Sequence, residues 1–187
     1  MQHIEAPNDY PSQSDLFLGG GITNCPDWQA DVVKMLEKTD IIVLNPRRST
    51  AFTGDIADEQ IRWEYAALRS VKTVLFWFPK ETLCPITLFE LGVFSQRQDI
   101  RLIVGTHPDY ARRFDVEVQM ELSRPEVTVH ASIEDMVGDY LSALKAEAME
   151  AGYAELASNP EYRDAAEQRK INRSYYGFAR NIQNRQQ

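Results

Sequence analysis

The feature that most restricts the fold of this chain is a regular alternation of short, unbroken apolar runs with segments of helical periodicity. From Asp15 onward the runs are DLFLG, DIIVLN, TVLFWFP, RLIVG and EVTVH. Between them lie helical patterns over about Trp28–Lys38, Glu59–Ser70 and Ile86–Gln98, and an irregular or helical stretch over Asp109–Leu122. Strands that are apolar at consecutive positions are buried on both faces, which requires a parallel sheet with helices on each side. The expected architecture is therefore an α/β, flavodoxin-like, doubly wound sheet of five parallel strands. After Ala131 a last helix sets Ile133, Met136, Val137, Tyr140, Leu141 and Leu144 on one apolar stripe, suited to packing on that sheet.

The chain divides into three parts on this reading. Residues 1–14 are polar and proline-bearing, as in a flexible arm. Residues 15–150 form the α/β domain. Residues 151–187 form an amphipathic helical tail in which Ile171, Tyr175, Phe178 and Ile182 share one face. Its charge differs from that of the rest: six basic and four acidic residues, +2, against 14 and 24 before it, −10. Such a helix covers either its own domain or a neighbouring subunit. The formal charge of −8 removes any overall attraction to a nucleic acid polymer or an anionic membrane. Cys25 and Cys84 lack CxxC spacing, and His3, His107 and His130 are too scattered for a zinc site, so no metal is expected. The longest apolar run, Val74 to Phe78, is too short to span a bilayer, and the expected compartment is the cytoplasm.

In an open parallel sheet ligands bind beyond the carboxyl ends of the strands. After the first strand comes the loop Gly19-Gly20-Gly21-Ile22-Thr23-Asn24, where backbone N–H groups can approach a ligand or simply form a tight turn. Neither a dinucleotide fingerprint nor a phosphate loop is complete there. The second strand ends in Asn45-Pro46-Arg47-Arg48. Its guanidiniums can clamp a phosphate or carboxylate, or pair with Asp55, Asp58 or Glu59. On the next helix Ile61, Tyr65, Ala67 and Leu68 are available for the sheet-facing side, and Glu64 need not be buried by that pattern. Glu90 is the anomaly: it sits among Leu88, Phe89, Leu91, Val93 and Phe94, where its carboxylate is partly desolvated, and burying a charge is costly unless the group is hydrogen-bonded or used.

Taken together, Phe17-Leu18-Gly19-Gly20-Gly21, Asn45-Pro46-Arg47-Arg48, Trp63-Glu64, Phe76-Trp77-Phe78-Pro79 and Phe89-Glu90-Leu91-Gly92 resemble the nucleoside 2-deoxyribosyltransferase-like family over about residues 15–130. The resemblance implies cleavage or transfer at the N-glycosidic bond of a nucleoside or nucleotide, without metal or organic cofactor, with Glu90 as nucleophile. It also implies that Glu64 acts at the base, that Asp115 contacts the ribose, and that the chain assembles into a homo-oligomer whose sites are completed across the interface. The chemistry suits the residue types, since an oxocarbenium-like state is stabilised by one carboxylate while a second acid helps the base leave. The basic Asn45-Pro46-Arg47-Arg48 segment raises an alternative, a nucleoside 5′-monophosphate N-glycosidase. A nucleotide-binding module without catalysis is a third possibility.

Overall fold

The computed structural model describes residues 1–49 and 56–158. Six strands and five helices follow one another as β1 (Gln2–Glu5), β2 (Ser14–Gly20), α1 (Trp28–Met35), β3 (Ile42–Asn45), α2 (Ala57–Ser70), β4 (Val71–Phe78), α3 (Pro85–Phe94), β5 (Arg101–Thr106), α4 (Arg113–Ser123), β6 (Val129–His130) and α5 (Ile133–Ser158). The strands form one sheet in the order β1-β3-β2-β4-β5-β6, every neighbouring pair parallel. From β3 to β6 this is compatible with a flavodoxin-like order.

The sheet has six strands, where five were expected, because β1 arises in the stretch read as a flexible arm. It pairs with β3 from Gln2↔Ile42 to Glu5↔Asn45. Gln2 N donates to Ile41 O at 2.8 Å, and Ala6 N to Asn45 O at 3.0 Å. An edge strand is held by its backbone, so it needs little apolar periodicity, and Ile4 alone buries a large side chain from it. The following segment is anchored too: Trp63 Nε1 donates to Asn8 O at 2.9 Å, and the Tyr10 ring meets Trp63 edge-on at 5.4 Å.

The pleat sends alternate residues of the central strands to opposite faces. Phe17, Val74, Phe76, Phe78, Leu102 and Val104 join Trp63, Ala67 and Leu68 of α2, Leu91 and Phe94 of α3, and Val116 and Met120 of α4 in one core. Leu16, Leu18, Leu75 and Ile103, on the other face, are also buried. There a side chain at Gly20 would meet Trp28 of α1, and one at Gly105 would meet Met136 of α5. The phase of α2 differs from expectation. Gln60, Trp63, Ala67 and Leu68 are its buried residues, while Ile61 and Tyr65, expected to face the sheet, are 64% and 61% exposed. Trp63 sets that phase, because its ring packs on Phe17 and Tyr10.

The chain divides into compact units at Met1–Tyr140 and Leu141–Gln187. The apolar stripe of Ile171, Tyr175, Phe178 and Ile182 lies outside the described residues. Among the described residues no helix is long and apolar enough to cross a membrane.

Two glycine substitutions test this packing in opposite directions. At Gly20 a Cβ would stand 2.4 Å from Trp77 O and 2.6 Å from Trp28 Cζ2, so Gly20→Ala should cost about 1–3 kcal/mol in denaturant unfolding. At Gly92, inside α3 and with nothing within 4 Å, Gly92→Ala should stabilise by about 0.5–1 kcal/mol.

Candidate active site

The loops that follow β2, β3 and β4 meet at the carboxyl edge of the sheet. Gly19 and Gly20, expected in the loop after the strand, belong to β2 itself, and no described glycine has a positive φ. Glycine is required here for close packing and not for a turn. A Cβ at Gly19 would lie 2.8 Å from the Phe76 ring, and one at Gly21 would lie 2.7 Å from Pro79 Cγ and 3.1 Å from Cys84 Sγ. The Gly21 carbonyl is taken up inside the protein, accepting from Trp28 Nε1 at 2.8 Å and Gln29 Nε2 at 3.3 Å.

Asn45 closes β3 and is 4% exposed. Its Oδ1 accepts the Arg47 backbone N–H at 2.9 Å, which leaves Nδ2 to face His3 Nε2 at 3.1 Å on β1. Arg47 reaches back to the loop before α1. Its Nε donates to Gln29 Oε1 at 3.0 Å and lies 3.2 Å from Asp27 Oδ1, while Nη2 donates to Pro26 O at 3.1 Å. Arg48 turns the other way, to α2, where Nε donates to Gln60 Oε1 and Nη2 to Glu59 Oε2 at 2.8 Å. Both guanidiniums therefore have protein partners, Arg48 with the expected Glu59 and Arg47 with Asp27. Both also line a pocket of about 360 Å³, together with His3, Lys34, Asn45 and Ser49. Neither Glu64 nor Glu90 lines it.

The two glutamates meet elsewhere. Glu64 on α2 and Glu90 on α3 are each half-buried, and the charge of Glu64 acts on the ionisation of Glu90. Burial pushes the Glu90 carboxyl up to about 7; the charge of Glu64 adds to the rise and Arg69 opposes it. Burial also raises Glu64, against a hydrogen bond from Gln60 and the charge of Arg48. Gln60 Nε2 lies 2.6 Å from Glu64 Oε1. Among the described residues Glu90 makes no hydrogen bond or ion pair of its own. The Arg69 guanidinium stacks on the Tyr65 ring, 3.5 Å from its centroid.

Asp115 stands in the first turn of α4 and pairs with Arg112 at 3.4 Å. Its charge acts on Tyr110, whose hydroxyl donates to Leu83 O at 2.8 Å just before α3. It thus lies beside the start of α3, with no contact to either glutamate. Cys84, the residue before α3, has a left-handed φ of 46°. Burial pushes its thiol up to about 11, away from the reactive thiolate. Among the described residues no three His, Cys, Asp or Glu side chains group so as to hold a metal ion.

Gln60, Arg69 and Gln29 were not singled out from the sequence. A signal for Gln60 existed, since a polar residue four positions before Glu64 shares its helix face. Gln29 carried none, as its partners Gly21 and Arg47 come from other elements, and Arg69 acts on Glu90 from a different helix.

The raised Glu90 makes stability depend on pH. With a folded value of about 7 against 4.5 when free, the folded state holds a proton that the unfolded state releases. This contribution is complete below pH 4.5 and lost as pH rises through 7, with an upper size of about 3 kcal/mol. The unfolding free energy of wild type minus that of Glu90→Gln should therefore fall across this interval; a flat difference curve would contradict the burial of Glu90.

Both glutamates lie inside residues 13–110, the segment matched by a family model described as nucleoside 2-deoxyribosyltransferase like, whereas Asp115 lies beyond it. No match was found among curated proteins. The matched segment spans more than half of the 187 residues and takes in β2 to β5 with the strand ends described above, and the chain belongs to the nucleoside 2-deoxyribosyltransferase-like family.

Proposed function

We propose that the protein is an enzyme that cleaves or transfers at the N-glycosidic bond of a deoxynucleoside or nucleotide, with Glu90 as nucleophile and Glu64 as the acid that assists the leaving base. The observation that carries this reading is the pair of half-buried carboxylates on α2 and α3, each raised by burial, with the charge of Glu64 raising Glu90 further. Two carboxyl groups in unlike surroundings are the equipment of glycosidic chemistry. A Glu90 oxygen bonds to C1′ as the C1′–N bond breaks, and the departing base nitrogen takes a proton from Glu64. A second base or water then attacks C1′, yields its proton to Glu64, and frees Glu90 as a carboxylate. Asp115 would contact the ribose of a bound substrate, acting from a neighbouring subunit, and no cofactor enters these steps.

A hydrolytic variant of this reading acts on 5′-monophosphates. It is favoured by the pocket that gathers Arg47, Arg48, Lys34 and Ser49, because Arg48 also connects through Gln60 to Glu64. The homo-oligomer is part of the proposal as well. Ile86, Phe89 and Val93 form an exposed apolar stripe along α3, with Phe89 71% exposed and Gly92 open beside it. A second copy seated there would cover it and complete the site.

Incubation with deoxynucleosides and their 5′-monophosphates, with and without a second free base, should release or exchange a base by chromatography. Glu90→Ala should lower turnover roughly 10³-fold or more with the fold intact. Exchange marks a transferase and release from monophosphates alone marks the glycosidase; no product, with Glu90→Ala without effect, leaves a binding module. Phe89→Asp should lower the mass measured by sedimentation towards that of a single chain, and an unchanged mass would reject α3 as the interface.

A further inference from the structure

The hydrogen-bonding around Gln60 determines more than its own position. Arg48 Nε is a donor only, so the Gln60 atom facing it must be the carbonyl oxygen. The other end of the amide lies 2.8 Å from Pro46 O, which only accepts, and 2.6 Å from Glu64 Oε1. The amide orientation follows from its partners, and both Nε2 hydrogens are committed, one to each acceptor. Glu64 Oε1 is consequently an acceptor, and any proton on Glu64 must reside on Oε2. Among the described residues Glu90 has no such donor.

We infer that the resting pair holds a single proton, that this proton sits on Glu90, and that Gln60 is the positioning residue that keeps Glu64 as the ionised partner with Oε2 free. The charged groups acting on the pair agree. Arg48, from the segment after β3, acts on Glu64; Arg69, from the end of α2, acts on Glu90, where it is outweighed by burial and by Glu64. On this inference Glu64 ionises first and Glu90 then titrates beside its charge.

The consequence for catalysis rests on the proposed glycosidic reaction. Protonated Glu90 is a neutral acid and cannot attack C1′. For the reaction to start Glu90 gives up its proton and Glu64 takes one up on Oε2, which leaves the pair's charge at −1 and exchanges the two roles. Glu64 then carries the proton that the leaving base needs, and Glu90 is the carboxylate. Gln60 holds the receiving oxygen ready for it.

The test is a carboxyl ¹³C NMR titration of the full chain labelled at glutamate, without substrate, with Glu64→Gln and Glu90→Gln to assign the signals. Glu90 should be the higher-titrating group and Glu64 the lower. Gln60→Leu should raise the Glu64 midpoint by about one pH unit through loss of a hydrogen bond to a charged group, narrowing the gap. Arg48→Met, which removes the cation and the lock on the amide, should shift Glu64 the same way. If Glu64 proves to be the higher-titrating group, or folded Gln60→Leu and Arg48→Met leave its midpoint unchanged, the inference is overturned. Should both variants fail to fold, the wild-type assignment alone decides it. Because no turnover is measured, failure of the glycosidic reading appears separately, as absence of product in the substrate panel.

Discussion

Burial of β4 from both sides is the constraint on which the other features depend. All of Val71–Phe78 except Lys72 is buried, and a strand placed so deeply must have both its hydrogen-bonding edges filled by neighbours and both its faces covered by side chains. β2 and β5 fill the edges. Parallel pairing obliges each connection to cross over and start again at the same end, so the turns leaving β2, β3, β4 and β5 gather along one edge of the sheet. The glycines of β2 belong to the same requirement, since the Phe76 ring and the Trp77 carbonyl fill the space that side chains at Gly19 and Gly20 would occupy.

The polar groups at that edge serve mainly to join elements. Asn45 ties β3 to β1 through His3, Arg47 ties the loop after β3 to the loop before α1, and Arg48 ties it to α2. Each replaces water lost on burial with a defined partner, and a buried polar group left without one would be costly. Gln60 is the member of this network that reaches a glutamate. The scaffold and the chemistry are therefore connected physically: the arginine that fastens a loop to α2 also orients the amide that fixes one oxygen of Glu64.

Two carboxylates in this setting differ although they are the same residue type. Burial raises both, but Glu64 has a hydrogen-bond donor and a nearby cation, while Glu90 has a like charge and only the partial compensation of Arg69. Unlike environments push the two ionisations apart, which is how a pair of acids comes to divide the work of holding and giving up a proton.

Much of this was legible in the sequence. The unbroken apolar runs marked strands buried on both faces, and the E-L-G segment in its place in the chain pointed to Glu90 and to the family that the matched segment shows. Pattern alone also marked Glu90 as a charge surrounded by apolar neighbours, because helix periodicity is a property of adjacent residues. Tertiary structure decided what depends on distant ones. β1 escaped notice because backbone pairing along β3 asks nothing of its side chains, and α2 took its phase from Trp63 meeting Tyr10 and Phe17. Arg47 and Arg48 read equally well as ligands for a phosphate or as internal ties, and only the positions of Asp27, Gln29, Glu59 and Gln60 in space supplied their partners. Sequence determines which groups are present and how neighbours along a helix are spaced; desolvation and hydrogen bonding, which govern protonation, depend on groups brought together from separate strands and helices.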